Sequence, residues 1–136
     1  MKATIGLNLV LILGMLAAGC GSTSTASPVT EDEARAMAEN MLAAYNTGEY
    51  GAWSRDWSQV MKDAIGEDAF LAFRDQTMAT AGSFVSIGSI QSRPGNNPGV
   101  TRWEFETEFE NGPMDFMIAF EEGSKLIEGV DLRPGS

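Results

Sequence analysis

The sequence predicts an α+β fold, with amino-terminal helices packed on a curved antiparallel sheet of about four strands. Three observations carry that prediction. Apolar residues recur every three or four positions from Ala34 to Ala81, and the period drops to two after Gly82. Turn residues then punctuate the second half, at Arg93–Gly99, Asn111-Gly112 and Glu122–Ser124. Helices first and a strand meander afterwards put the helices on one face of the sheet.

The first helix starts at Thr30, where Thr30 and Glu33 form a capping-box pattern and Glu31, Asp32 and Glu33 favour the positive end of the helix dipole. Ala34, Met37, Ala38, Met41, Leu42 and Tyr45 make its inner face, and Asn46-Thr47-Gly48 stops it. A second short helix is expected from Glu49 to Trp57. Ser58 caps a further turn through Met61 and Ala64, and Glu67–Ala81 forms the next helix, closed by Gly82, with Phe70, Phe73, Thr77, Met78 and Ala81 inward. Phe84–Ile90 is the first strand. In the next, Trp103, Phe105, Thr107 and Phe109 alternate with Arg102, Glu104, Glu106, Glu108 and Glu110, so one face meets a core and the other water. Asn111-Gly112 is a hairpin turn, and Met114, Phe116, Ile118 and Phe120 carry the apolar face back. Leu126–Leu132 is the last strand, ended by Pro134.

Ahead of this domain, Met1-Lys2 is followed by an apolar run, Ile5–Ala18, and then Leu16-Ala17-Ala18-Gly19-Cys20. The run is shorter than the ~20 residues of a comfortable membrane span and has the layout of a signal peptide. Small residues leading directly to a cysteine resemble the lipobox of bacterial and archaeal lipoproteins. That resemblance implies lipid on the Cys20 thiol and cleavage between Gly19 and Cys20. The chain then divides into a signal peptide (1–19), a lipidated cysteine with a flexible tether (20–29) and one α+β domain (30–136). The tether GSTSTAS reaches at most ~30 Å. Lipid chains contribute ~0.8 kcal/mol per buried methylene, so two or more hold the protein on a bilayer. The expected location is extracytoplasmic, on the cell membrane or an outer membrane. Gly21, rather than aspartate, tilts towards the latter in a Gram-negative cell.

Composition narrows the chemistry. Without Lys2, eight basic residues remain against nineteen acidic ones, a formal net charge of −11. Nucleic acid is a poor partner for such a surface, and membrane contact falls to the covalent anchor. The chain has no histidine and a single cysteine, so His-based triads, His-ligated metals and an intrachain disulfide are excluded. No cofactor is expected. An enzyme here would have to run on carboxylates, Tyr, Lys or Arg.

The order of elements, with Tyr45-Asn46-Thr47-Gly48-Glu49-Tyr50 after the first helix, resembles the nuclear-transport-factor-like cone fold. It is most similar to the small extracytoplasmic, domain-of-unknown-function branch found in lipoproteins. The resemblance covers roughly Thr30–Leu132 and implies a conical pocket between sheet and helices, used by different members for catalysis, ligand binding or dimerisation.

Candidate pocket residues are Tyr50, Trp53, Trp57, Trp103, Phe105 and Phe116, of which Tyr50, Trp53 and Trp57 either line the mouth of a cone and grip an apolar or sugar-like ligand or seal the core at its open end. The second role is favoured, because large aromatics supply much of a small domain's burial. The methionines Met37, Met41, Met61, Met78, Met114 and Met117 read as gap-filling core rather than an adaptable lining. Glu104, Glu106, Glu108 and Glu110 stand about 6.8 Å apart along one strand face, too linear to surround a cation, and form a solvated face. Isomerases and related cyclases of the resembled family want an inward carboxylate, for which Asp56 and Asp115 are the candidates. The expected role is therefore a membrane-anchored binding or protein-interaction module for an envelope protein or a small apolar ligand. A homodimer is a further option, and the rival reading is a carboxylate-dependent isomerase or hydrolase.

Overall fold

A computed structural model describes residues 29–135. The expected signal peptide, the cleavage site at Gly19 and Cys20, and the tether up to residue 28 lie outside them. Val29, assigned to the tether from sequence, is 7% exposed and packs into the core.

Thr30 Oγ1 accepts the Glu33 N–H at 3.2 Å, and α1 runs Glu31–Thr47 from that cap. Gly48 closes the helix at φ 79°, a left-handed conformation that glycine adopts without a Cβ penalty. Ala34, Ala38, Met41, Leu42 and Tyr45 are buried and Met37 partly so, as the 3.6-residue period requires.

The expected helix Glu49–Trp57 is shorter in the structure. α2 covers Tyr50–Trp53 only, because tertiary strand pairing overrides the local pattern. The chain extends through Asp56–Ser58 and bridges Ile127 in parallel: Ile127 N–H donates to Asp56 O (2.8 Å) and Ser58 N–H to Ile127 O (3.0 Å). Ser58 Oγ then caps α3 (Gln59–Ala64) through the Met61 N–H. Finally α4 spans Glu67–Ala81, with Phe70, Thr77 and Ala81 buried.

Four strands follow in one antiparallel meander, β1 (Phe84–Pro94), β2 (Val100–Phe109), β3 (Gly112–Glu121) and β4 (Ile127–Pro134), in the order β1-β2-β3-β4. The predicted α+β architecture is the one observed. Strand limits shift: β4 begins at Ile127 rather than Leu126 and runs through Pro134, two residues beyond Leu132. β1 continues four residues beyond Ile90, since Pro94 pairs with Thr101 on an edge strand, where a missing N–H is tolerated. The β2–β3 turn sits on Glu110-Asn111, one residue earlier than Asn111-Gly112, with Gly112 already paired to Phe109.

The sheet's inner face carries Phe105, Phe109, Phe116, Ile118 and Phe120, all buried. Register sets Phe105 opposite Phe116 and Trp103 opposite Ile118, so the apolar rows of β2 and β3 coincide. This face meets α1, whose Tyr45 lies edge-on to Phe109 at 5.5 Å.

Candidate functional site

A cleft of about 750 Å³ lies between α4 and β4. Two ties hold α4 at either end of it. At its amino-terminal end, Phe70 packs on Trp53 at a centroid distance of 5.0 Å. At its carboxyl end, the helix is tied to the β2–β3 turn, where Asn111 N–H donates to Ala81 O (3.0 Å) and Asn111 Nδ2 to Thr80 O (3.1 Å). Between these ties the flank of α4 with Ala69, Ala72, Phe73 and Gln76 faces β4 without touching it closely enough to fill the gap. Val130, Asp131 and Leu132 form the opposite wall, and Gly112–Met114 with Pro134 closes one end. Val130 and Leu132 project from the inner face yet stay half-exposed, the sign of an apolar surface lacking a cover.

Of the aromatic residues singled out from sequence, Trp53 and Trp57 border this cleft. Both are nearly buried, 3% and 2% exposed, and stack edge to face at 6.1 Å. Tyr50 stands behind them, edge-on to Trp57, with its hydroxyl donating to Ile65 O. Phe105 and Phe116 lie in the core, 1% and 0% exposed, tilted on one another at 5.9 Å, and Trp103 is half-buried on β2. These three are absent from the cleft lining, whose small members Ala69 and Ala72 have no counterpart in the sequence reading. The only sequence signal for them is a second apolar flank on α4, at Ala69, Ala72 and Phe73, beside the core stripe.

The carboxylates also take definite places. Asp56 is partly exposed and paired with Arg55 (3.1 Å), and Asp115 is exposed on the outer sheet face. Neither lines the cleft; the one carboxylate on its wall is Asp131, paired with Arg133 at 3.0 Å. The row Glu104–Glu110 does not converge on a point. Glu104 is held by Arg93 (2.8 Å) and Arg102 (3.4 Å), Glu106 and Glu108 are exposed, and Glu110 folds back to accept the Ser83 N–H (2.6 Å). That N–H holds the Glu110 carboxyl below its usual range. Burial pushes the Glu128 carboxyl upward; the Ser58 hydroxyl, donating at 2.8 Å, opposes this, and nearby Glu121 reinforces it. Burial likewise pushes the Tyr45 phenol up to about 12, with Arg74 opposing and Glu110 adding to the rise.

Among the described residues no helix is long and apolar enough to cross a membrane. Residues 38–128 match the family described as "Protein of unknown function (DUF3887)". The chain belongs to the DUF3887 family. No curated protein matches it. Among solved structures it is similar to an NMR structure of a protein from Ruminococcus gnavus, with a TM-score of 0.57 and 10% identity, covering 75% of this chain and 90% of that one. At that identity the likeness speaks for the fold alone.

Proposed function

We propose that this DUF3887 protein is an exported lipoprotein, held on a membrane by lipid on Cys20, and that its domain is a nuclear-transport-factor-like cone that binds an apolar ligand or an apolar segment of an envelope protein. The cleft between α4 and β4 carries the binding reading. Its volume of about 750 Å³ falls in the ~300–1,000 Å³ range of ligand sites, and its walls combine Phe73, Val130 and Leu132 with few polar groups. The run Ile5–Ala18 and the sequence Ala17-Ala18-Gly19-Cys20 support the anchor. The rival carboxylate enzyme has less behind it, since Asp56 and Asp115 stand outside the cleft and Asp131 is engaged by Arg133.

Two measurements test the two halves. Intact mass and detergent partitioning of the protein made in its native host are expected to show cleavage before Cys20 plus acyl chains, both lost in Cys20→Ser; an unmodified soluble product overturns the anchor. Indole titrated into the full chain in lipid nanodiscs is expected to shift the methyl resonance of Ala69, and Ala72→Trp to abolish that shift. An unmoved Ala69 signal overturns the cleft as a binding site.

A further inference from the structure

One wall of the cleft is the bare edge of a strand. Val130, Asp131 and Leu132 are consecutive and all line it, although successive strand residues point to opposite faces. Asp131 belongs to the opposite face from Val130 and Leu132 and still lines the cavity, as expected where the strand's backbone borders it. β4 is the last strand of the sheet, and among the described residues its outer side has backbone partners at one place, the bridge from Ile127 to Asp56 and Ser58. At Ser58 the chain leaves this edge to form α3. Gly129–Pro134 therefore continues along the cleft with no strand beside it.

A second observation stands at the same end. The Trp57 side chain, 2% exposed, borders the cleft, and its Nε1–H has no acceptor among the described residues. A buried donor without an acceptor costs stability.

We propose that the cleft takes an extended peptide segment of a partner protein, which joins the sheet as a fifth strand along Gly129–Pro134. The proposal rests on the cleft reading above and narrows it to one class of ligand. The domain's own segment Asp56–Ser58 already pairs with this edge, so the added strand continues an existing pairing. Six residues of edge offer about 20 Å for backbone hydrogen bonds. Every second residue of the segment faces α4, where Ala69, Ala72 and Phe73 leave room for an apolar side chain. The domain's surplus of nineteen acidic over eight basic residues favours a segment flanked by Lys or Arg.

The test pans the full chain in lipid nanodiscs against a displayed library of random dodecapeptides. The tightest binder is then resynthesised with a single backbone N-methyl group at each position in turn. N-methylation at alternate positions is expected to weaken binding about tenfold, the scale of one hydrogen bond, and the intervening positions far less. Alternate amides within Gly129–Arg133 gain protection from hydrogen exchange, and Ala72→Trp, a change at an exposed position, removes binding. A flat N-methyl profile, a peptide still bound by Ala72→Trp, or no peptide retained from the library overturns the strand proposal. Indole separates the two readings: a shifted Ala69 methyl without peptide binding leaves the cleft standing and the strand overturned, and loss of both responses overturns both.

Discussion

Tyr45→Phe removes one oxygen from the junction of α1, α4 and β1. The Tyr45 ring is fully buried, edge-on to Phe109, and its hydroxyl donates to Gly82 O at 2.8 Å, where the chain passes from α4 to β1. Phenylalanine keeps the ring contacts and loses one hydrogen bond, so the expected cost at pH 7 is about 1 kcal/mol, or about 4 °C in Tm for a domain of this size. At alkaline pH the sign turns. An unfolded tyrosine ionises near ~10, whereas burial holds the folded phenol at about 12. The folded state therefore keeps its proton longer, and the resulting stabilisation is complete below pH 10 and lost as pH rises through 12. Linkage puts that loss at about 2 kcal/mol by pH 12. Urea unfolding followed by tryptophan fluorescence, from pH 7 to 12, is the assay. Groups shared by both proteins cancel in the difference, which should shrink above pH 10 and reverse by pH 12. A difference that stays constant across the range refutes the reasoning.

Glu128→Gln should raise the Tm at pH 7 and have little effect at pH 4. Burial raises the Glu128 carboxyl, so its contribution to stability is present in acid and lost as pH rises through that raised value, and an amide still accepts from the Ser58 hydroxyl. Calorimetry at the two pH values checks the sign. Arg74→Met should destabilise by about 2–4 kcal/mol in chemical denaturation, because the guanidinium donates to Tyr45 O (2.6 Å) and Asn46 O (2.8 Å) at the carboxyl end of a helix whose last turn has no basic residue of its own. The same change should move the Tyr45 phenol still higher, since Arg74 favours its ionised form.

Local signals in the sequence carried the fold. Thr30 and Gly48 bound α1 through hydrogen bonds within a few residues of themselves, and the alternation from Trp103 to Phe109 needs only a pleated strand with one wet face. What escaped depends on residues distant in the chain. Trp57 is helical by spacing from Trp53, yet its partner is Ile127, seventy positions on. Arg93 and Pro94 have the composition of a loop, yet their pairing with Arg102 and Thr101 extends β1. The cleft was the least legible feature, because its walls are a strand edge and two exposed alanines. Neither has a periodicity of its own: an edge is defined by the strand that is missing beside it, and Ala69 and Ala72 look like ordinary helix formers until α4 is seen to stand off from β4.

The ion pair between Lys125 and Glu33, at 3.0 Å, marks the start of α1 as lying at the end of the sheet that carries the β3–β4 turn. The β2–β3 hairpin lies at the other end, ten residues of β3 or about 33 Å away. Any leash on the amino terminus therefore grips the molecule at one pole. Pulled from there, the load falls first on buried Val29 and the first turn of α1, at the pole opposite the hairpin end of the cleft.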